Sequence, residues 1–249
     1  TGWRVETGPL VGVYSSPDYD VLYPNGDEVQ QFTVALECKI IGGESKPDGA
    51  ETTENRFATA SELGALDVPR WYADMARDCF AEGRPHFDAP EFTPGPGEGW
   101  RALRPLIGPG RLIVVGAGAI IEDDAGKVLL TLRREGLWGI PAGLMELGES
   151  ISGTLVREAR EEMNLEIAPH ELVGVFTGTE YFHTYPDGNQ AQIVATLFRA
   201  DITGGELRPD SVETLDVRWF DLGSLPEMLP RHWKYLQIAG RANSLNPFP

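Results

Sequence analysis

Acidic residues on one predicted helix are the part of the chain best suited to chemistry. The helix is predicted from apolar residues that recur every four positions, which are Ile151, Leu155, Ala159 and Met163. The opposite face carries Glu158, Glu161 and Glu162. Like charges at this spacing destabilise a helix by roughly a few tenths of a kcal/mol per pair unless a cation lies among them. The face therefore predicts either a divalent metal site or a solvated surface neutralised by Arg157 and Arg160.

The spacing of the polar residues favours the metal site. The fixed positions are, in order, Gly143, Glu149, Arg157-Glu158, Glu161-Glu162 and Leu165, with five residues before Glu149 and seven before Arg157. This pattern resembles the box of the Nudix hydrolase family, G-x5-E-x7-R-E-u-x-E-E-x-G-u, where u is apolar. Asn164 stands at the second glycine position, which closes the helix in a left-handed conformation. Asparagine is the usual second choice there, so we expect the box to remain intact.

The resemblance implies the chemistry of the site. Nudix hydrolases cleave the pyrophosphate of a nucleoside diphosphate linked to another moiety, with divalent cations that we expect to be Mg²⁺, or alternatively Mn²⁺. The implied metal ligands are Glu158, Glu161, Glu162 and the backbone carbonyl of Gly143. Arg157 is expected to orient a neighbouring carboxylate, and Glu149 to bind a second cation directly or through water. The general base is left open between a box glutamate and Glu180, which lies in a later loop.

Candidate substrate contacts lie outside the box. Arg133 and Arg134 end an apolar strand and could reach a substrate phosphate, although side-chain alternation would direct only one of them toward the site. Trp138 could stack on a base or pack in the core. Aromatic residues and a histidine near Glu180 could cap the pocket or pack elsewhere, and they are Tyr181, Phe182 and His183.

The box leaves the substrate open because loops outside it select the second moiety. We expect ADP-ribose or another sugar nucleotide, with a nucleoside triphosphate as the alternative. A catalytically silent ligand-binding regulator is a second class, but such a protein would be expected to lose box glutamates, and all four are present. A scaffold function of the N-terminal part is a third class and could coexist with catalysis.

Composition narrows the partners. The 249 residues include 38 acidic and 21 basic ones, for a formal charge of −17, which disfavours nonspecific binding to nucleic acid or anionic membranes. The two cysteines, Cys38 and Cys79, do not suggest a disulfide framework. The longest apolar run, residues 112–121, is too short to span a bilayer, and no signal-peptide pattern opens the chain. We therefore expect a cytoplasmic protein that binds small nucleotides and no membrane.

An internal repeat at an offset of 162 residues defines the domains. Residues 5–56 align without a gap, and the identities include Leu10-Val11-Gly12-Val13 with residues 172–175 and Gly42-Gly43-Glu44 with residues 204–206. Shared ancestry explains one register held over so long a stretch better than chance does. The same offset aligns Thr1-Gly2-Trp3 with Met163-Asn164-Leu165, so the chain is expected to begin inside a first box. Residues 1–95 are then the C-terminal half of a first Nudix-like repeat without box carboxylates, and residues 96–249 are a complete Nudix domain.

The predicted fold is α/β, of the α+β type, with a mixed β-sheet sandwiched between helices. Strands are expected at residues 9–14, 29–41, 112–121, 127–132, 172–177, 191–202 and 217–220, with 112–121 and 127–132 forming a β-hairpin. Helices are expected at 68–81, 100–106 and 231–239 besides the box helix, and residues 90–99 are a predicted linker. The half sheet of residues 1–95 leaves an edge and an apolar face to be covered by the second repeat, by another copy in a homodimer, or by another fragment.

Overall fold

The structure is a computed structural model that describes residues 1–93, 99–185, 187–211 and 213–241. The strands are β1 (Trp3–Tyr14), β2 (Val21–Leu22), β3 (Glu28–Val29), β4 (Thr33–Gly43), β5 (His86–Phe87), β6 (Leu112–Ile120), β7 (Val128–Arg133), β8 (Trp138–Gly139), β9 (Ala142–Leu144), β10 (Leu165–Phe176), β11 (Phe182–Thr184), β12 (Gln190–Gly205) and β13 (Thr214–Phe220). The helices are α1 (Ala60–Leu63), α2 (Arg70–Cys79), α3 (Arg104–Ile107), α4 (Ile151–Met163) and α5 (Pro230–Arg241). We call residues 1–95 the half copy and residues 96–249 the complete copy, after the repeat that the sequence predicts and that stays a prediction.

Two sheets form the complete copy. In the mixed sheet the order is β10-β12-β6-β9, with β12 and β6 parallel and β11 added beside β12. The second sheet has the order β13-β7-β8 and is antiparallel. Leu129 of β7 joins the core around α4, whereas its neighbours Val128 and Leu130 join the core around α5. Successive strand residues face opposite sides, so the sheets lie between α4 and α5, which confirms the predicted mixed fold.

The prediction that residues 112–121 and 127–132 form a β-hairpin is correct for the turn but wrong for the strands. Gly126 N–H donates to the Asp123 carbonyl at 2.9 Å, and Leu129 N–H donates to the Ile121 carbonyl at 2.9 Å. Past these contacts the strands separate, because β6 pairs with β12 and β9 while β7 pairs with β13 and β8. Local sequence specified the turn, and longer partners elsewhere in the chain satisfied the backbone groups of each strand.

The half copy contains an antiparallel strand pair whose register matches that of a strand pair in the complete copy. β1 and β4 pair antiparallel, as β10 and β12 do. Pairs related by the offset of 162 are Trp3–Gly43 and Leu165–Gly205, Val5–Ile40 and Ile167–Ile202, Leu10–Leu36 and Leu172–Phe198, and Tyr14–Thr33 and Phe176–Ala195. A bulge between Arg4 and Val5 has its counterpart between Glu166 and Ile167. This correspondence supports a shared origin of the two copies, which stays a proposal.

Constrained backbone positions agree as well. Gly2 has φ of 80° and its counterpart Asn164 has φ of 58°, so both positions have positive φ, and Asn164 ends α4 in the left-handed region. The Asn164 side chain donates to the Glu206 carbonyl at 2.9 Å. A Cβ on Gly2 would meet the equivalent carbonyl, that of Glu44. The expectation that asparagine serves at the second glycine position of the box is confirmed.

One hydrophobic core joins the two copies. It contains Leu10 and Val13 of β1 together with the apolar face of α4, and residues Phe32, Val34, Leu36 and Phe87 pack against it. The rings of Phe87 and Phe198 meet edge to face at 5.1 Å between centroids. Helix α4 is therefore covered on one side by its own sheet and on the other by the sheet of the half copy. The apolar face of the half sheet is covered within the chain, so no second copy is required to complete it.

Other boundaries differ modestly from the predictions. The helix predicted at 68–81 is α2, which ends at Cys79 and leaves Phe80 58% exposed. Residues 94–98 of the predicted linker lie outside the described residues, and residues 91–93 contact the box loop. Cys38 and Cys79 are free and exposed. None of the helices in the described ranges is long and apolar enough to cross a membrane.

Candidate active site

Glu149 anchors an ionic network at the N-terminus of α4, where its side chain is fully buried. Its Oε1 accepts a hydrogen bond from Arg157 Nε at 2.5 Å, and its Oε2 accepts from the Thr154 hydroxyl at 2.8 Å and from the Glu146 N–H at 3.0 Å. A buried carboxylate needs such partners because burial without them carries a large desolvation cost. Both oxygens are engaged by protein donors, which makes Glu149 an orienting partner of Arg157.

Arg157 connects Glu149 to two other box glutamates. Its Nη1 lies 2.9 Å from both Glu158 Oε1 and Glu161 Oε2, and its Nη2 donates to the Leu144 carbonyl at 2.9 Å. Burial opposes the charge of Arg157, but hydrogen bonding to Glu149 and the nearby carboxylates outweigh it and raise the pKa. The guanidinium is thus a fixed cation that bonds three of the box carboxylates, and the orienting role that the sequence predicts for it stays a prediction.

Gly143 leaves room for Glu158. A Cβ at Gly143 would overlap the Glu158 carboxyl group, so only glycine allows β9 and α4 to approach this closely. Burial raises the pKa of Glu158, and Arg157 acts in the opposite direction. The close fit gives the box glycine a steric role, while a metal-binding carbonyl at Gly143 stays a prediction.

Glu162 is a buried carboxylate with an unsatisfied oxygen. Its Oε1 lies 3.3 Å from Arg133 Nη1, and its Oε2 has no hydrogen-bond partner among the described residues. Burial raises the pKa of Glu162 to about 7, against the opposing charge of Arg133. A buried oxygen without a partner carries a desolvation cost, which a cation bound at this position would offset.

The four box glutamates have different environments. Exposure of the side chain is 0% for Glu149, 13% for Glu158, 4% for Glu162 and 60% for Glu161. Glu158 and Glu162 line a common cavity, which Glu161 does not. The expectation that Glu161 is a metal ligand is therefore not favoured by its placement.

The residues present fit a divalent cation that is bound partly by the protein and partly by substrate. Within the described ranges no three histidine, cysteine or acidic side chains converge on one point. Mg²⁺ does not need a closed cage, because it commonly uses one or two carboxylates, waters and substrate phosphates. Glu158 and Glu162 supply two carboxylates facing one cavity, and the unpartnered Oε2 of Glu162 is available as a ligand atom.

The cavity beside these carboxylates has a volume of about 480 Å³. Arg133 and Arg134 both line it, so the prediction that alternation would admit only one of them is wrong. The reason is that β7 ends at Arg133, and Arg134 lies in the following turn, where strand alternation no longer applies. Arg133 Nη2 donates to the Ala142 carbonyl at 2.7 Å, which fixes this guanidinium near Glu162.

Arg231 is a cavity residue that the sequence did not reveal. It lies in the first turn of α5, its pKa is lowered by burial, and it forms no ion pair in the described part of the chain. Cations are unfavourable at a helix N-terminus because of the macrodipole. An arginine at the start of a predicted helix was therefore a weak signal that an anion binds there.

Two histidines of the cavity are neutral. Burial lowers the pKa of His183, with a further contribution from Arg231. Burial also lowers the pKa of His232 well below its usual value, and its Nδ1 has no partner among the described residues. The site therefore carries its positive charge on arginines, whose charge does not vary with pH.

The remaining predicted residues lie outside the cavity. Glu180 is exposed, and its Oε1 lies 3.4 Å from Lys234 Nζ, so its position gives no support to a role as general base. Trp138 packs edge to face on Phe220 at 4.7 Å between ring centroids, which favours the core-packing alternative over base stacking. Tyr181 is buried in the core. Phe182 packs under the guanidinium of Arg111 at 3.8 Å from the ring centroid, so neither aromatic residue caps the cavity.

Comparison with known proteins matches this region to one family. The family model described as the NUDIX domain matches residues 112–237, half of the chain. An ADP-ribose pyrophosphatase of Methanocaldococcus jannaschii is 30% identical over 128 residues, which are 49% of this chain and 70% of that protein. The NAD-capped RNA hydrolase NudC of Pseudomonas fluorescens is 27% identical over 281 residues, which cover 99% of this chain and 93% of that protein. The NudC of Vibrio atlanticus is 31% identical over 115 residues, and the match spans 38% of its length.

Proposed function

The chain belongs to the Nudix hydrolase family, and from that premise we propose that it hydrolyses the pyrophosphate bond of a nucleoside diphosphate linked to a second moiety, with Mg²⁺ as the metal. One observation carries the proposal. Glu158 and Glu162 share a single cavity with Arg133, Arg134 and Arg231. Carboxylates suit a divalent cation and guanidinium groups suit phosphate oxygens, so the cavity is complementary to a metal-bound diphosphate.

The protein groups have separate tasks in this reaction. Mg²⁺, when bound, neutralises diphosphate oxygens and lowers the pKa of a coordinated water. Glu158 and Glu162 hold the cation, and Arg157 keeps Glu158 in place through its Nη1. We assign the general base to one of these two carboxylates, because both line the cavity that would hold the diphosphate.

The proposed substrate is ADP-ribose or another sugar nucleotide. A cavity of about 480 Å³ is in the range that small nucleotide-sized ligands occupy. Arg231 offers a buried cation without an ion-pair partner in the described ranges, which favours a substrate with an anionic group at that end of the cavity. The name of the Methanocaldococcus relative, ADP-ribose pyrophosphatase, supports this choice.

A dinucleotide of the NAD type is the second candidate. It is favoured by the alignment of almost the whole chain, 99%, with a protein named NAD-capped RNA hydrolase. The formal charge of −17 opposes binding of an RNA backbone, since protein cations supply most of the affinity for phosphodiesters. We therefore favour a free dinucleotide over capped RNA as the substrate of this second type.

The test is a phosphatase-coupled assay of phosphate release with Mg²⁺, across sugar nucleotides, dinucleotides and nucleoside triphosphates. The wild-type protein is expected to cleave a sugar nucleotide or a dinucleotide. Glu162→Gln should lower kcat by about 10²–10³-fold, because it removes a group that stabilises charge in the transition state. Glu161→Gln is the matched control, and it should lose less than about tenfold because Glu161 lies outside the cavity. Equal losses in the two variants would refute the proposed ligands, and hydrolysis of triphosphates alone would refute the substrate class.

A further inference from the structure

Backbone groups of Gly148 and Glu149 form hydrogen bonds with Gln30, a residue of the half copy. Gly148 N–H donates to Gln30 Oε1 at 2.7 Å, and Gln30 Nε2 donates to the Glu149 carbonyl at 2.7 Å. One side-chain amide thus satisfies two polar groups of the box loop. Residues 30 and 149 are 119 positions apart in the chain.

Three further contacts hold the same loop from a second segment and from Ser15, the residue that follows β1. The Gly148 carbonyl accepts from Thr93 N–H at 2.7 Å, Ser150 N–H donates to the Glu91 carbonyl at 3.0 Å, and Ile151 N–H donates to Ser15 Oγ at 2.8 Å. The loop that begins the box helix is therefore bracketed by the half copy on both sides. Its backbone groups are satisfied there as a neighbouring strand would satisfy them.

The internal repeat indicates why Gln30 is available for this contact. Its counterpart at the offset of 162 is Gln192, which lies inside β12 and pairs with Ile113 of β6 and Phe182 of β11. In the half copy, residues 30–32 are in no strand, and β3 ends before them at Val29. In the complete copy, Gln192 belongs to a continuous strand. In the half copy the strand is interrupted, and the amide of Gln30 forms hydrogen bonds with the box loop of the complete copy.

A short series of contacts connects Gln30 to the metal site. Gln30 holds the backbone of Glu149, the Glu149 carboxylate accepts from Arg157, and Arg157 bonds Glu158 at 2.9 Å. We propose that Gln30 is a positioning residue that lets the half copy set the geometry of the metal site in the complete copy. This inference rests on the hydrolase function proposed above. Loss of such outer partners typically lowers metal affinity or activity by about 10–100-fold.

The first part of the test needs no substrate. Gln30→Ala is expected to speed hydrogen exchange of the Gly148 amide about tenfold, because that N–H loses its acceptor. It is also expected to weaken binding of Mn²⁺ alone, followed by electron paramagnetic resonance, by about tenfold. Gln192→Ala is the matched control, since it removes the equivalent amide of the other copy, and it should change neither quantity. If Gln30→Ala matched this control in both measurements, the inference would be overturned.

Kinetics separate positioning from a general loss of stability. At saturating Mg²⁺ and with the substrate identified by the assay above, Gln30→Ala should lower kcat about tenfold and leave KM within about twofold, because Gln30 does not line the cavity. Loss of activity accompanied by an unchanged Mn²⁺ affinity, or an increase in KM alone, would contradict the role. If the wild-type protein cleaved no substrate, the proposed function would fail, whereas the Mn²⁺ and exchange results would still decide the role of Gln30.

Gln30→Glu keeps the inference testable if Gln30→Ala does not fold. This variant keeps an acceptor for Gly148 and loses the donor to the Glu149 carbonyl. Exchange at Gly148 is expected to remain slow while the Mn²⁺ affinity falls. A Mn²⁺ affinity equal to that of the wild type would overturn the part assigned to the Glu149 bond.

Discussion

The half copy and the complete copy contain the same antiparallel strand pair, but the residues around that pair have different contacts in the two copies. Both pair their strands in one register, both have a residue of positive φ directly before the first strand, and both are followed by a closing helix, α2 or α5. A Pro-Arg pair lies at the start of each closing helix, as Pro69-Arg70 at α2 and as Pro230-Arg231 at α5. Arg70 of α2 is exposed and lies 3.0 Å from Asp18, whereas Arg231 of α5 lines the cavity. Local sequence thus determines the strand pair and helix, and the neighbours of each copy determine whether an arginine is paired or left for a ligand.

The largest expected effect is on KM when Arg231 is substituted, and it tests whether the arginines of the two closing helices differ in anion binding. Arg231→Gln should raise KM by about 10–100-fold, because a charge-assisted hydrogen bond to an anionic substrate is lost from a desolvated site. Arg70→Gln, which changes the arginine of the Pro-Arg pair in the half copy, should leave KM unchanged. Initial-rate kinetics on the identified substrate decide the point. Similar KM values for Arg231→Gln and the wild type would mean that no substrate anion binds this guanidinium.

A second effect concerns the contact between the copies. Gly153 lies in α4, and a Cβ there would overlap the backbone of Glu91 in the half copy. Gly153→Ala should therefore lower the free energy of unfolding by about 1–3 kcal/mol, although alanine is the better helix former. Urea unfolding measures the change.

The control for that variant is Gly240→Ala in α5, where a Cβ would meet nothing within 4 Å. There the higher helix propensity of alanine should raise the free energy of unfolding by up to about 1 kcal/mol. If Gly153→Ala were as stable as Gly240→Ala, the half copy would not be docked on α4 as described.

A smaller effect is the pH dependence of metal binding in the complete copy. The pKa of Glu162 is raised to about 7 by burial, so its carboxyl group is protonated below that pH and ionised above it. A proton and a metal compete for the same oxygens. The affinity for Mn²⁺ should therefore rise about tenfold per pH unit up to about pH 7 and then level off. Titrations between about pH 5.5 and 8 test this, and Glu162→Gln should remove the slope.

The half copy has its own pH-sensitive group, which should leave metal binding unaffected. A hydrogen bond with Asp88 raises the pKa of His86, with a further contribution from Asp78. A raised histidine pKa stabilises the folded protein below the unfolded pKa of 6.5, and the stabilisation is lost as pH rises through the folded pKa. His86→Gln should change the pH dependence of unfolding in that window. A change in the pH dependence of Mn²⁺ affinity would show that the two regions titrate together.

Much of the fold was predictable because its signals are local. The apolar period of α4 and the left-handed position of Asn164 each depend on residues close in sequence, and the repeat can be read by aligning the sequence with itself. The box resemblance implied that Arg157 orients a neighbouring carboxylate without saying which one, and its contact with Glu149 depends on how the loop before α4 folds. The divergence of β6 and β7 was missed because their partners, β12 and β13, lie far along the chain.

Among the residues of the site, only those that belong to the box follow a sequence pattern from which their position could be predicted. Box spacing cannot distinguish exposed Glu161 from buried Glu162, because they are adjacent residues whose difference arises from tertiary packing. Trp138 has the same sequence signal whether it stacks on a base or on Phe220. Arg231 and Gln30 carry no motif, and their positions follow from α5 and the half copy folding over the complete copy.

The hydrogen bonds of the box loop reach beyond the region that the family model matches. The family match starts at Leu112, yet the partners of residues 148–151 include Ser15, Gln30 and residues 91–93. A fragment cut at the family boundary would keep every box residue and expose one side of α4 together with the unsatisfied loop. We therefore expect the smallest autonomous piece that retains the native box loop to extend well upstream of the matched domain, and truncations of this protein should be chosen from its backbone hydrogen bonds.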